Sequence, residues 1–259
     1  MDLQLKGKKA IVTGGTAGIG LAIARVLIEE GVEVTIPGRN AKKLNEAVAS
    51  LGSSAIGIEA DLGTAAGAAT LIERVPATDI LINNLGIYEP IPFAEITDEK
   101  WLHIFEVNVL SGVRLARHYF PQMLARNSGR VIFISSESSI MTPAEMVHYG
   151  MTKTAQLAIA RGLAEQTKGT AVTINSILPG PTRSEGIVDF LKNMSSIHNA
   201  TPEQAETEFF EKHRSSSLLQ RLIEDREIAT LAAYIASPLS AATNGASLRA
   251  EGGLLKSIA

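Results

Sequence analysis

Along nearly the whole chain, short apolar runs alternate with longer stretches in which apolar residues recur every three or four positions. The short runs are rich in β-branched residues, as is typical of buried strands, and the longer stretches are typical of helices with one packed side. The predicted strands cover residues 10–12, 32–36, 54–60, 79–82, 129–134, 172–177 and 246–250. This alternation predicts an α/β fold with a single doubly wound parallel sheet and helices on both faces.

The helices between these strands are predicted at 42–51, 64–75, 97–123, 149–166 and 225–237, after a first helix that begins inside a glycine-rich stretch. No repeat or linker interrupts the pattern, so we expect residues 1–259 to form one domain. Residues 184–219 are the least regular part. Their aromatic residues are expected to face a core, and their charged residues, among them Glu206 and Glu208, a solvated face.

The first strand leads directly into the glycine-rich stretch 13–20, TGGTAGIG, which runs into the first helix. Glycines permit a tight turn and let a diphosphate approach the backbone, while a helix N-terminus offers free N–H groups and a positive dipole end. Strand, glycine turn and helix in this order predict a phosphate-binding site, and a plain glycine-rich loop is the alternative.

Composition excludes several classes of function. Lys+Arg 24 against Asp+Glu 27 gives a net charge of −3 without a basic run, so we expect no nucleic-acid partner. The chain has no cysteine, which excludes disulfides and thiolate catalysis, and no metal site is predicted. The first residues lack the apolar core of a signal peptide, and no apolar run is long enough to cross a bilayer. We therefore expect a soluble cytoplasmic protein that does not bind membranes.

Three polar residues that could carry chemistry follow the strand at 129–134. Ser136 lies just beyond its carboxyl end, where ligands bind in parallel sheets. Tyr149 comes thirteen residues later and Lys153 four residues after that, so Tyr149 and Lys153 share one helix face.

These motifs together resemble the short-chain dehydrogenase/reductase family, in its shorter single-domain branch. The glycine turn resembles the family's T-G-x-x-x-G-x-G, the segment 83–86 (NNLG) its N-N-A-G, and Ser136 with Tyr149-x-x-x-Lys153 its catalytic arrangement. Pro179-Gly180 and the tail segment 251–253 (EGG, for the family's D-G-G) add to the resemblance, which covers nearly the whole chain.

The resemblance implies a role for each matching residue. The catalytic residues would be Asn108, Ser136, Tyr149 and Lys153. The cofactor would be bound by Gly14, Thr16, Gly18, Ile19, Gly20, Arg39, Asp61, Leu62, Asn84, Gly86, Tyr149, Lys153, Pro179, Gly180 and Thr182. Residues 184–219 would form a lid over the substrate. Asn108 would disturb its helix and hold a water that leads to the lysine. Asp61 would hold the adenine amino group, and it could at the same time cap the next helix.

The chemistry of carbonyl reduction explains the residue types. The reaction needs a hydride at carbon and a proton at oxygen, and a tyrosine with an unperturbed pKa near ~10 is a poor proton donor at neutral pH. The Lys153 ammonium and the positive nicotinamide would lower the pKa of Tyr149, and Lys153 would also bind the nicotinamide ribose. Ser136 would donate to the substrate oxygen as negative charge grows there.

The residues after the second strand bear on whether the cofactor is NAD or NADP. A dinucleotide fold meets the adenosine ribose about 20 residues beyond the glycine turn, where an acid suits NAD and an arginine suits NADP. Gly38 stands where the family's NAD users carry Asp, and Arg39 follows it. We therefore expect NADP(H) as the preferred cofactor and NAD(H) as the alternative, with Arg39 as a solvated loop residue in that case.

The predicted function is an NADP(H)-dependent oxidoreductase that interconverts a small-molecule ketone and a secondary alcohol. One alternative is a 3-oxoacyl-thioester reductase that acts on an acyl carrier protein. Another is a catalytically silent regulator that only binds a dinucleotide. The long helices and the tail motif, by resemblance, predict a homotetramer, with a homodimer as the alternative.

Overall fold

The computed structural model describes residues 1–258, so that Ala259, the last residue of the predicted domain, lies outside the described part. Seven parallel strands form one sheet in the order β3-β2-β1-β4-β5-β6-β7. The strands are β1 (Lys9–Val12), β2 (Glu33–Gly38), β3 (Ala55–Glu59), β4 (Ile80–Asn83), β5 (Arg130–Ile134), β6 (Thr173–Pro179) and β7 (Ser247–Ala250). The strand order reverses between β1 and β4, and a ligand cleft is expected at the carboxyl ends there.

Helices cover both faces of the sheet. They are α1 (Gly18–Glu29), α2 (Ala41–Leu51), α3 (Ala65–Arg74), α4 (Asp98–Phe105), α5 (Ser111–Ala125), α6 (Val147–Ala164), α7 (Glu185–Met194), α8 (Pro202–Lys212) and α9 (Asp225–Ala236). One buried apolar cluster joins α1, α2 and α9 to the sheet, and a second joins α3, α5 and α6 to its other face. The predicted doubly wound parallel sheet is confirmed.

The second strand continues further than the sequence indicated. Residues 37–40 were expected to end it, yet β2 runs to Gly38 and contains Pro37. The pairing of β2 with β1 stops at Ile11 and Thr35, whereas its pairing with β3 continues to Gly38 and Glu59. Pro37 is therefore tolerated because β2 has a paired neighbour on only one side there.

The long helix predicted at 97–123 is interrupted. Between α4 and α5 the segment Glu106–Leu110 forms a π-helical turn, which contains the buried Asn108. The Asn108 side chain forms two hydrogen bonds with the backbone of Ile87. Its Oδ1 accepts from Ile87 N (2.8 Å), and its Nδ2 donates to Ile87 O (2.9 Å). A single π-helical turn of this kind inside a helix often occurs at functional sites.

Residues 184–219 contain α7 and α8, which enclose an apolar cluster of their own. It consists of Leu191, Ala205, Phe209, Phe210 and Leu222. Phe209 and Phe210 are buried, as expected.

The expectation of a solvated charged face in this segment is wrong for two residues. Glu208 is buried and accepts hydrogen bonds from Ser196 N (3.2 Å), from Lys212 Nζ (2.6 Å) and from the Ser195 hydroxyl. Glu206 accepts from Leu222 N (2.8 Å) and pairs with Arg183 (3.0 Å). These carboxylates satisfy loop donors, so they hold the segment together.

Across residues 1–258, no helix is both long enough and apolar enough to cross a membrane.

Candidate active site

The glycine turn forms one end of a cleft of about 450 Å³ at the carboxyl edge of the sheet. Gly14 (φ +62°) and Gly18 (φ +49°) adopt the left-handed backbone conformation that favours glycine. Ile19 and Gly20 also line this cleft, next to Ala17. Among the described residues, no side chain caps the N-terminus of α1, and its first turn carries no acidic residue. The free N–H groups and the positive helix end fit the diphosphate of a dinucleotide.

Gly20 and Asn84 hold this turn in shape. A Cβ atom at Gly20 would lie 2.2 Å from the carbonyl oxygen of Gly14, so only glycine lets α1 approach the turn this closely. Asn84 Nδ2 donates to Thr13 O (3.0 Å) and Gly14 O (3.3 Å), and the hydroxyl of Thr13 accepts from Asn84 N (2.8 Å). Asn84 thus joins β1 to β4, whereas the buried side chain of Asn83 makes no hydrogen bond within the described part of the chain.

A second cavity of about 300 Å³ lies beside the turn, on the β2 and β3 side. It is lined by Thr16, Gly38, Arg39, Asp61 and Leu62, together with Gly86. Arg39 is exposed at this cavity, next to the end of β2. This cavity can hold the adenosine part of a dinucleotide, with Arg39 as a positive and Asp61 as a negative side chain at its wall.

Of the two roles expected for Asp61, the helix cap belongs to another residue. Thr64 caps α3 by accepting from Gly67 N (3.0 Å). Asp61 Oδ1 accepts from Gly63 N (3.0 Å), which fixes its carboxylate at the wall of the second cavity.

The far wall of the first cleft comes from the end of β6. Pro179, Gly180 and Thr182 line it, and the Thr182 hydroxyl donates to Gly180 O (2.8 Å). A Cβ atom at Gly180 would lie 2.9 Å from Glu251 backbone atoms, so the segment after β7 packs against this turn.

Ser136, Tyr149 and Lys153 meet on one wall of this cleft. Tyr149 and Lys153 both lie within α6, and the Lys153 ammonium lies 5.6 Å from the centre of the Tyr149 ring. Lys153 Nζ donates to Ile134 O (3.0 Å), and the hydroxyl of Ser135 donates to Lys153 O (2.9 Å). The end of β5 and the first turns of α6 are therefore fastened together, which fixes the distance between the serine and the tyrosine.

Burial changes the acidity of both α6 groups. It raises the pKa of Tyr149 well above its ordinary value; the Glu137 carboxylate adds to this rise and the hydrogen bond with Ser136 opposes it. It also lowers the pKa of Lys153 to about 8. In the protein without cofactor, burial is the main reason why the pKa of Tyr149 is raised. The expected lowering includes the charge of the bound nicotinamide and stays a prediction for the complex.

Asn108 is buried behind Lys153 and Gly86. In addition to its bond with Ile87 O, Asn108 Nδ2 donates to the Thr152 hydroxyl (3.0 Å). The backbone carbonyl oxygen of Asn108 accepts from Gln156 Nε2 (2.7 Å). A Cβ atom at Gly86 would lie 3.4 Å from Lys153 Nζ and 3.6 Å from Asn108 Oδ1. Asn108 thus holds the backbone after β4 beside Lys153, and the side chain of Gln156 is hydrogen-bonded to the backbone carbonyl of Asn108.

Sequence reasoning missed two charged residues in this cleft, Glu137 and Arg214. Glu137 directly follows the predicted catalytic serine, and that position was the available signal. Arg214 lies just after α8, far away in sequence, and no motif marks it.

The cleft and its residues fit a dinucleotide cofactor, and comparison with known proteins gives the family. Residues 8–194 match the model of the short chain dehydrogenase family. The chain belongs to this family and is an NAD(P)-dependent dehydrogenase/reductase.

Among its relatives is the "Uncharacterized oxidoreductase YvaG" of Bacillus subtilis, which is 48% identical over the full length of both chains. The 3-oxoacyl-[acyl-carrier-protein] reductase FabG of Vibrio cholerae is 27% identical, with 97% of this chain and 99% of the relative covered. A solved structure of L-sorbose reductase from Gluconobacter frateurii, in complex with NADPH and L-sorbose, superposes with a TM-score of 0.94 at 27% identity and 100% coverage of both chains.

Proposed function

We propose that this enzyme reduces a ketone to a secondary alcohol with NADPH and catalyses the reverse reaction with NADP⁺. The observation that carries this proposal is the meeting of Ser136, Tyr149 and Lys153 on one wall of the cleft that the glycine turn closes at its other end. A ketone held there would have a hydroxyl donor and a phenol beside its oxygen.

The bound reduced nicotinamide supplies the hydride that the carbonyl carbon receives. The protein's own residues manage the oxygen: Ser136 donates a hydrogen bond to it, and Tyr149 transfers its phenolic proton to it. The product is the alcohol, and Tyr149 regains a proton from the medium. Lys153, whose ammonium is held by Ile134 O, would bind the ribose hydroxyls and stabilise the phenolate. Asn108 would act as a positioning residue for Lys153 through Gly86 and Ile87.

The preference for NADP(H) is supported by Gly38 and Arg39. An exposed guanidinium at the second cavity can form a charge-assisted hydrogen bond with a ribose phosphate, and no carboxylate at position 38 repels it. The neighbouring structure of L-sorbose reductase, which was determined with NADPH, is consistent with this preference. Thr16, Asp61 and Leu62 would surround the adenosine.

A second candidate is the reduction of 3-oxoacyl thioesters, which the likeness to the FabG protein favours. The two candidates share the catalytic step and differ in the group next to the ketone. A regulator without catalysis is the third reading, and the retention of all four predicted catalytic residues argues against it.

One experiment tests the function. The purified protein is mixed with NADPH and a panel of ketones, hydroxy ketones, keto acids and acetoacetyl-coenzyme A, and loss of NADPH absorbance is followed. We expect turnover of at least one simple or hydroxylated ketone. If NADPH binds tightly and nothing in the panel is reduced, the regulator becomes the better proposal.

We also propose that residues 1–259 act as one NAD(P)-binding domain in which residues 184–219 form a lid on the substrate side. Family resemblance further favours a homotetramer, with a homodimer as the alternative. Light scattering at micromolar concentration should give the mass of four chains, and a monomer mass would contradict this assembly.

A further inference from the structure

Glu137 and Arg214 form a buried polar pair that the proposed reduction does not use. Both line the cleft beside Ser136 and Tyr149, and their side chains are only 8% and 12% exposed. Charged side chains are costly to bury unless they are paired and hydrogen-bonded. Because they lie at the reacting end of the cleft, a polar group of a bound ligand could complete their hydrogen bonds.

The two charges face each other without touching. Arg214 Nε and Glu137 Oε1 are 4.0 Å apart, which is too far for a hydrogen bond. Within the described part of the chain, Arg214 Nε has no hydrogen-bond partner although it is buried. Nη1 donates to His213 O (2.9 Å), and the guanidinium lies over the Phe209 ring (5.4 Å), so the arginine is held in this orientation.

A gap of this size suits one oxygen that both accepts and donates. A hydroxyl between the two groups can accept from Arg214 Nε and donate to Glu137 Oε1, which completes both buried groups at once. An alkyl group offers neither function. A substrate carboxylate can accept from the arginine, but it has no proton for Glu137 and would be repelled by it.

The other carboxylate oxygen of Glu137 fixes where this hydroxyl must lie. The hydroxyl of Ser136 donates to Glu137 Oε2 over 2.5 Å. Ser136 has one proton, so a donation to the substrate oxygen takes it away from Glu137. A buried carboxylate that loses a donor is destabilised, unless the substrate itself supplies a new one. The replacement donor must come from an atom close to the reacting carbonyl.

We propose that Glu137 and Arg214 select ketones that carry a hydroxyl on the carbon next to the carbonyl, as ketoses do. This inference rests on the proposed function, because it names the substrate class of the same site. The product would be a vicinal diol, formed by the hydride and proton transfers already described. Acyl thioesters, which offer no hydroxyl there, would be poorer substrates.

The first test uses the unmodified enzyme and two ketones of the same shape. 1-Hydroxybutan-2-one and pentan-3-one differ only by a hydroxyl in place of a methyl group. We expect kcat/KM with NADPH to be about 10- to 100-fold higher for the hydroxy ketone, the range of one or two hydrogen bonds to buried charged groups. Equal values overturn this inference and leave the proposed function intact. Reduction of neither ketone, nor of any other in the panel, overturns both.

Variants then assign the preference to the pair. Glu137→Leu should bring the ratio of the two kcat/KM values close to one, because leucine can accept no hydrogen bond. Glu137→Gln keeps an acceptor and should retain part of the preference. Arg214→Met should lower kcat/KM for the hydroxy ketone mainly through KM. If the pair has only a structural role, the variants should lower kcat/KM equally for both ketones and leave the ratio unchanged. That result would overturn the assignment.

Matched controls and competing substrates complete the design. Glu46→Gln and Arg226→Met change the same residue types on the exposed surfaces of α2 and α9, and the ratio should stay at the wild-type value. Melting temperature and NADPH binding by fluorescence report whether each variant is folded. A higher kcat/KM for 2-oxobutanoate or acetoacetyl-coenzyme A than for 1-hydroxybutan-2-one would contradict the inference.

Discussion

The two ends of the cleft are built in different ways. The cofactor end consists mostly of backbone and glycine: the turn Gly14–Gly20, the strand ends and the N-terminus of α1, all set by the sheet. The reacting and substrate end consists of side chains from distant parts of the chain, such as Glu137 and Arg214. The family model covers residues 8–194 and ends with α7, before Arg214. The cofactor end thus depends mainly on the course of the backbone, and the reacting end on individual side chains, one of which, Arg214, lies beyond the part that the family model matches.

The largest effect should come from Tyr149→Phe, which separates catalysis from cofactor binding. The change removes one hydroxyl and keeps the ring, so kcat should fall at least ~100-fold, the usual scale for a general acid. NADPH affinity, measured by fluorescence titration, should change little. Tyr234→Phe, on the exposed side of α9, is the matched control and should keep full activity. More than about a third of wild-type activity in Tyr149→Phe would refute the proton-donor role.

Gly20→Ala should damage the cofactor end instead. The new Cβ atom would lie 2.2 Å from Gly14 O, so the turn must move at a cost of about 1–3 kcal/mol. NADPH binding should weaken about tenfold or more, and the melting temperature should fall. Gly162→Ala is the matched control: it lies in α6 with no atom within 4 Å of its new Cβ, and it should stabilise the protein by about 0.5–1 kcal/mol. Equal stability of the two variants would show that the close approach is unimportant.

Arg39→Ala should narrow the preference for NADPH. A charge-assisted contact with a phosphate is worth about 1.5–3 kcal/mol, so the ratio of kcat/KM for NADPH to that for NADH should fall by tens of fold. Arg226→Ala, which removes an exposed arginine from α9, should leave the ratio unchanged. An unmutated enzyme that works equally well with NADH would contradict the proposal before any variant is made.

The smallest expected effect is a pH dependence of stability caused by Lys153. Burial lowers its pKa from 10.5 to about 8, so between pH 8 and 10 the unfolded chain holds a proton that the folded chain has released. Stability contributed by this group therefore rises with pH in that window, by up to about 1.4 kcal/mol per pH unit. Denaturant unfolding at pH 8, 8.5 and 9, below the range in which the tyrosines of the unfolded chain lose their protons, should show this slope in the wild type and lose it in Lys153→Met. Lys42→Met, on the exposed face of α2, should keep the slope. An identical slope in the wild type and Lys153→Met would argue against a buried, deprotonating lysine.

Sequence was informative where local chemistry decides structure. Alternating strands and helices predict the sheet, and the glycine turn and the Tyr149-x-x-x-Lys153 spacing predict which residues share the cleft. The break at Glu106–Leu110 was marked only by Asn108, whose hydrogen-bond partner Ile87 lies 21 residues away. The prediction ended β2 before Pro37, but the strand continues to Gly38 because β1 stops pairing earlier and leaves β2 paired only with β3. Where β1 stops cannot be read from the residues of β2. Glu208 looked solvated because its serine partners lie 12 and 13 residues before it.

The small apolar cluster around Leu191, Phe209 and Phe210 is separate from the two clusters that hold the sheet. Phe209 also lines the cleft, so substitutions within this cluster change the cleft wall without touching the two clusters that hold the sheet, α1 and α6 together. If residues 184–219 form the proposed lid, this separation lets α7 and α8 change in evolution while the packing of the sheet and of α6 remains as it is.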